Sequence, residues 1–171
     1  MAGPEPFRDE IFLPGGHISL DCVSETGLKV LQEALRLARE TRWDTVRSPH
    51  VFMGVLAVPD PIVRIWGERL CTDLDRLLSN FQELFHQEEG QSGAFLILNR
   101  EFLSDNVIRL LQEAYARARD NRRYAVTPMD LLITLLTTSN SIVAECFERI
   151  GVTAAKLTEL AVLAEQQGTQ M

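Results

Sequence analysis

Apolar side chains return every third or fourth position in the first half of the chain, and the same stripe comes back in the second half. Leu28, Leu31, Leu35 and Ala38 share one face of a helix predicted from Ser24 to Glu40. Ser24, placed directly before Glu25, is its capping residue. Ile108, Leu111, Tyr115 and Ala118 carry the stripe through a counterpart that starts at Ser104. Ser48-Pro49 and Thr127-Pro128 each put a hydroxyl before a proline, the residue favoured at the first helical position. They predict short helices over Val51 to Ala57 and Met129 to Leu136, apolar nearly all round and therefore buried. Asp60-Pro61 starts a third helix through about Glu68, and Asn140 or Ser141 starts its counterpart. Thr72 with Asp75 resembles a capping box before Leu74, Leu77, Leu78, Phe81 and Phe85. Thr153 opens the matching helix with Leu157, Leu160 and Leu163, and Gly151 lies in the turn before it.

Four predicted helices thus occur twice, and the residues themselves repeat. Val23 to Leu78 can be laid on Leu103 to Thr158 at a constant offset of about 80 positions, without a gap and with roughly a quarter of positions identical. Leu31-Gln32-Glu33-Ala34 returns as Leu111-Gln112-Glu113-Ala114, and Ile62-Val63 as Ile142-Val143. Each copy is too small to bury an adequate core alone, so the two are expected to pack into one all-α domain of about eight helices related by a pseudo-twofold. The expected boundaries are an extended arm over residues 1–22 with Ile11-Phe12-Leu13 pinned on the body, a first repeat over 23–86, a linker over 87–102 and a second repeat over 103–167. Within the linker, Ala94-Phe95-Leu96-Ile97-Leu98 reads either as an irregular strap or as a short strand.

Composition narrows the function. At 171 residues and 46% hydrophobic content the chain has enough material for a core. A formal net charge of −7 argues against nucleic-acid or anionic-membrane partners. Cys22, Cys71 and Cys146 are widely spaced and read as reduced thiols of a cytoplasmic protein. No apolar run has the length of a membrane span, and Glu5, Asp9 and Glu10 stand where a secretory signal needs basic residues. Catalytic chemistry is not announced: there is no phosphate-binding loop ending in Gly-Lys-Ser or Gly-Lys-Thr, no ordered nucleophile, base and acid, and no histidine pair at metal-ligand spacing. No enzyme, metal or cofactor is expected.

The remaining candidates are surface features. His50 heads an apolar helix, where a histidine is more often a hydrogen-bonded structural residue than a ligand. Arg36, Arg39 and Arg42 cluster near the end of the first helix, as do Arg117, Arg119, Arg122 and Arg123 near the end of its counterpart. One reading is a basic patch for an acidic peptide or nucleic acid; the stronger one is cations complementing the helix macrodipole on solvated faces. Trp43 and Trp66 each have a core reading and an interface reading: Trp43, whose twin is Arg123, need not be buried and is a candidate interface anchor, while Trp66 reads as packed.

Two copies of this helical unit, with Val23-Ser24-Glu25 and Val30-Leu31, then Val46, His50-Val51-Phe52 and Val55-Leu56, resemble the Clp N-terminal repeat domain. Val126, Leu131-Leu132, Leu135-Leu136 and Ile150-Gly151-Val152 carry the resemblance through the second copy. That domain heads the ring-forming Clp unfoldases and disaggregases. The resemblance implies a recognition module that delivers proteins for unfolding or degradation, with unfolded or degron-bearing proteins, an adaptor protein and a Clp ATPase ring as partners. The alternative is a free-standing regulator or decoy that binds a Clp partner or small ligand without delivering substrate. The resemblance puts the protein-binding surface near the first-helix starts and the seam, at Ser24, Glu25, Trp43, His50, Ser104, Asp105 and Asp130. In the branch that resembles phosphoarginine receptors an acidic residue precedes the histidine. Here Pro49 and Met129 hold those positions and supply no acceptor.

Overall fold

Among the described residues seven of the eight α-helices start where a short polar side chain takes an otherwise unpaired backbone N–H. The computed structural model describes residues 10–89, 95–139 and 141–169. The helices are α1 (Glu25–Glu40), α2 (Ser48–Ala57), α3 (Pro61–Arg69), α4 (Leu74–Leu84), α5 (Asp105–Asp120), α6 (Pro128–Thr137), α7 (Ile142–Glu148) and α8 (Ala154–Thr169). Single 3₁₀ turns at Leu20–Cys22 and Arg100–Phe102 precede α1 and α5. Ser24 and Ser104 cap α1 and α5 through the N–H groups of Gly27 and Val107. Asp60 caps α3, and Ser141 caps α7. The alternative start at Asn140 lies outside the described residues.

Two predicted starts are displaced. The N-cap of α2 is Arg47, and Ser48 is already helical. In the repeat register Ser48 faces Pro128 and Arg47 faces Thr127, so the two hydroxyl-proline pairs are out of step by one residue. Helix α4 is capped by Asp73, whose carboxylate accepts from the N–H groups of Asp75 and Arg76, while Thr72 donates to the Leu70 carbonyl.

The copies meet by exchanging equivalent strips. Val23 pairs with Val126, and Val46 pairs with Leu103, both in parallel. The Ser24 N–H donates to the Val126 carbonyl at 2.9 Å and the Ser104 N–H to the Val46 carbonyl at 3.0 Å. Since Leu103 is the repeat counterpart of Val23 and Val126 that of Val46, each contact has its mate. This is the signature of a twofold inside one chain. Left-handed backbone repeats as well: Arg42 and Arg122 end α1 and α5 at φ 67° and 60°, and Cys71 and Gly151 turn before α4 and α8 at 56° and 88°.

The core lies between α2 and α6, which are buried along nearly their whole length. Phe52, Trp66 and Phe81 of the first copy join Phe147 of the second, with ring centroids 4.8–6.4 Å apart. Trp66 also donates its indole N–H to the Leu157 carbonyl at 3.2 Å. One aromatic cluster therefore belongs to both copies.

The described part of the N-terminal arm is folded back rather than extended. Phe12 bridges Ile18 around Gly15 and Gly16, both at positive φ. Ile11, Phe12 and Ile18 are buried, and Arg100 lies over the Phe12 ring at 5.2 Å. The Arg100 N–H donates to the Gly16 carbonyl, and the Asn99 amide donates to the Gly15 carbonyl. Phe95 to Leu98 form no strand: the segment is an irregular strap held by buried Leu96, whose carbonyl accepts from Arg39. Ala94 lies outside the described residues.

Candidate functional site

The exchanged pairing sets the start of α1 beside the start of α6, so Ser24 and Thr127 share one groove at the seam. Its volume is about 630 Å³. Ile62, Met129 and Val162 give it apolar surface, and Arg117, Arg123 and Glu165 line its charged side. The twofold-related region differs. There Ser48, Asn106 and Ile142, at the positions of Pro128, Thr26 and Ile62, line a space of about 30 Å³. The pseudo-twofold thus leaves one open groove and one nearly closed one.

The charged side is built around Asp130, the third residue of α6, whose side chain has no exposed surface. It accepts from Arg117 at 2.6 Å, from Arg123 at 2.5 and 2.6 Å, and from the Thr127 N–H at 2.9 Å. Arg117 makes a two-pronged contact with Glu165 of α8 at 3.1 and 2.8 Å. Burial alone would push the Asp130 carboxyl up. The hydrogen bonds from Arg123, Thr127 and Arg117 outweigh it and hold the group below its ordinary value. Arg117 and Arg123 are raised above the usual guanidinium value: burial works against Arg117, while hydrogen bonds to Glu165 and Asp130 prevail.

These two arginines correct the sequence reading of the basic clusters. They are not helix-end cations on a solvated face but parts of a partly buried ion network, because buried Asp130 cannot keep its charge there without them. In the first cluster Arg36 does lie exposed between Glu33 and Glu40. Arg39 and Arg42 instead reach the Leu96 and Glu88 carbonyls.

The first copy fills the same five positions with different chemistry. Leu37, Trp43, Arg47, His50 and Phe85 stand where the second has Arg117, Arg123, Thr127, Asp130 and Glu165. His50 takes the structural place of the Asp130 carboxylate: its Nδ1 accepts from the Arg47 N–H at 2.9 Å. That fixes the tautomer, so Nε2–H donates to Thr41 Oγ1 at 2.9 Å, and Thr41 passes a hydrogen bond to the Leu37 carbonyl. Trp43 is half-buried. It donates its indole N–H to the Phe85 carbonyl at 2.6 Å, meets the His50 ring edge-on at 5.7 Å, and lies under the Arg47 guanidinium at 4.7 Å. A tryptophan so held is part of a packed corner, the core side of its two sequence readings.

Of the seven sequence candidates, the structure brings Ser24 into the open groove, with Asp130 directly behind the arginines that line it. Trp43 and His50 form the separate aromatic corner, and Glu25 and Asp105 are exposed first-turn residues of α1 and α5. Ser104 caps α5 near Asn106 and the closed region. Sequence reasoning missed Glu165, Arg117 and Arg123 as groove residues. The available signal was the lone buried acid, since Asp130 inside an apolar helix needs cations from elsewhere. Among the described residues no group of three or more His, Cys, Asp and Glu could hold a metal ion.

No family model matches the chain, and no curated protein matches it. Solved structures do. The N-terminal domain of the chaperone ClpD from Arabidopsis thaliana superposes with a TM-score of 0.64 at 15% identity, covering 87% of this chain and 97% of that one. The chain has the Clp N-domain fold. The Hsp104 N-terminal domain of Candida albicans gives 0.62 at 13% identity over 82% of this chain and 89% of its own. The ClpV N-domain of Vibrio cholerae gives 0.59 at 18% identity, over 86% and 90%. In this Clp N-domain fold the double repeat is the whole architecture, so the seam groove belongs to neither copy alone. No described helix is long and apolar enough to cross a membrane.

Proposed function

We propose that this chain is a non-catalytic protein-binding module that takes up a segment of a substrate or adaptor protein in the open seam groove and presents it for unfolding or degradation by a Clp ATPase ring. The observation that carries the reading is the asymmetry of the grooves. A space of about 630 Å³ is open on one side of the pseudo-twofold, and apolar side chains of α3, α6 and α8 line it together. Such a surface suits apolar side chains of an extended or helical segment, with polar neighbours fixing its orientation. The fold shared with Clp N-domains supports the same role.

Fluorescence polarisation with a labelled, permanently unfolded polypeptide tests this. Saturable binding is expected, weakened at least about tenfold by Thr26→Trp, which fills the groove from α1. Absence of saturable binding, or equal binding by the filled variant, would overturn the assignment.

A further inference from the structure

Arg123 is the unusual member of the ion network. Its two contacts with Asp130 use one hydrogen on each Nη, and its Nε–H and remaining Nη hydrogens have no acceptor among the described residues. The next carboxylate, Glu165, stands 4.0 Å away, beyond hydrogen-bond reach. A third of the Arg123 side chain is exposed, and the residue lines the groove beside Met129 and Val162. Arg117 has less to offer, because Asp130 and both oxygens of Glu165 already take three of its N–H donors and its side chain is 21% exposed. The same corner therefore displays a guanidinium clamped between two carboxylates and a more exposed one hydrogen-bonded to Asp130 alone.

We infer that Arg123 is the recognition point for a carboxylate carried by the bound segment, and that the groove selects apolar stretches interrupted by an acidic group. This rests on the groove being the binding site. The carboxylate docks against the open N–H donors of Arg123, and apolar neighbours lie on Ile62, Met129 and Val162. Both guanidiniums of the network are already matched by the two carboxylates, Asp130 and Glu165, so a net positive field is not what attracts the ligand. Directed hydrogen bonds are. The selectivity is also one-sided, because Trp43 replaces Arg123 in the first copy.

The acid can be a Glu or Asp side chain or the chain end, and the experiment separates them. Three labelled peptides are compared by fluorescence polarisation on the whole chain: an end-blocked peptide with a Leu-Glu-Leu-Leu core, its Leu-Gln-Leu-Leu twin, and that twin with a free C-terminal carboxylate. An acid-bearing peptide is expected to bind about tenfold tighter than the blocked twin. Whichever acid gives the gain identifies its source. Arg123→Gln should erase the preference. Arg123→Lys keeps Asp130 paired with a cation but loses the planar fork, and should reduce the preference in a chain whose circular dichroism is unchanged. Arg109→Gln, an exposed change on α5, should alter nothing. Equal binding of all three peptides, or a preference that survives both Arg123 variants, overturns the carboxylate site and leaves the groove reading standing. Failure of every peptide to bind overturns both.

Discussion

His50 and Asp130 solve one problem with opposite chemistry. Each is the third residue of a buried helix and must accept a hydrogen bond from the N–H of the residue that precedes that helix. Asp130 does so as an anion neutralised by two arginines, whereas His50 does so as a neutral ring. Burial, assisted by the nearby Arg47 charge, lowers the His50 pKa to about 4. The unfolded chain, with a histidine near 6.5, therefore binds the extra proton first as pH falls. The stability that His50 contributes is full above pH 6.5 and is lost as pH falls toward about 4, an effect of about 3 kcal/mol if the shift is expressed in full. Thermal melts between pH 7 and pH 4 should show this loss in the natural chain. His50→Gln, which can still accept from Arg47 but does not titrate, should show a shallower fall over the same window. Parallel curves would mean that His50 does not carry the acid sensitivity.

At the scale of elements, the first copy depends on a close approach that the second does not make. A Cβ placed on Gly54 of α2 would run into the Val30 carbonyl of α1, so α1 and α2 lie nearly backbone to backbone. The equivalent residue of α6 is Thr134, and its presence there shows that α5 and α6 stand differently. Gly54→Ala gains helix propensity of about 1 kcal/mol but must push two helices apart, which costs about 1–3 kcal/mol or more because backbone has nowhere to yield. The overlap wins, and urea unfolding should show a net loss of about 1–2 kcal/mol. A more stable variant would show that the α1–α2 contact is slack.

On the scale of the whole molecule, neither copy encloses its own core. The Trp66 indole bonds to Leu157, Phe147 completes the cluster of Phe52, Trp66 and Phe81, and both short parallel pairings cross the seam. The isolated halves, Met1 to Gln91 and Ser92 to Met171, should therefore be largely unfolded or should associate, as circular dichroism and sedimentation would show. Two cooperative, monomeric halves would contradict the shared core.

The sequence by itself determined the helices, their order and their doubling, because those follow from local rules: apolar spacing, capping side chains and prolines act within a few residues, and a repeat preserves them. It also erred within that range, placing a cap at Ser48 where the backbone reserves the position for Arg47. What only the tertiary structure decided was the pairing of Val23 with Val126 rather than with its own copy, the opening of one groove and the closing of its twin, and the convergence of partly buried Arg117 and Arg123 on buried Asp130. These depend on side chains from different helices converging, Glu165 lying 48 residues from Arg117. An arginine at a helix end looks the same in a sequence whether it faces water or a buried acid. Only the packed neighbours set the desolvation that makes the second arrangement hold.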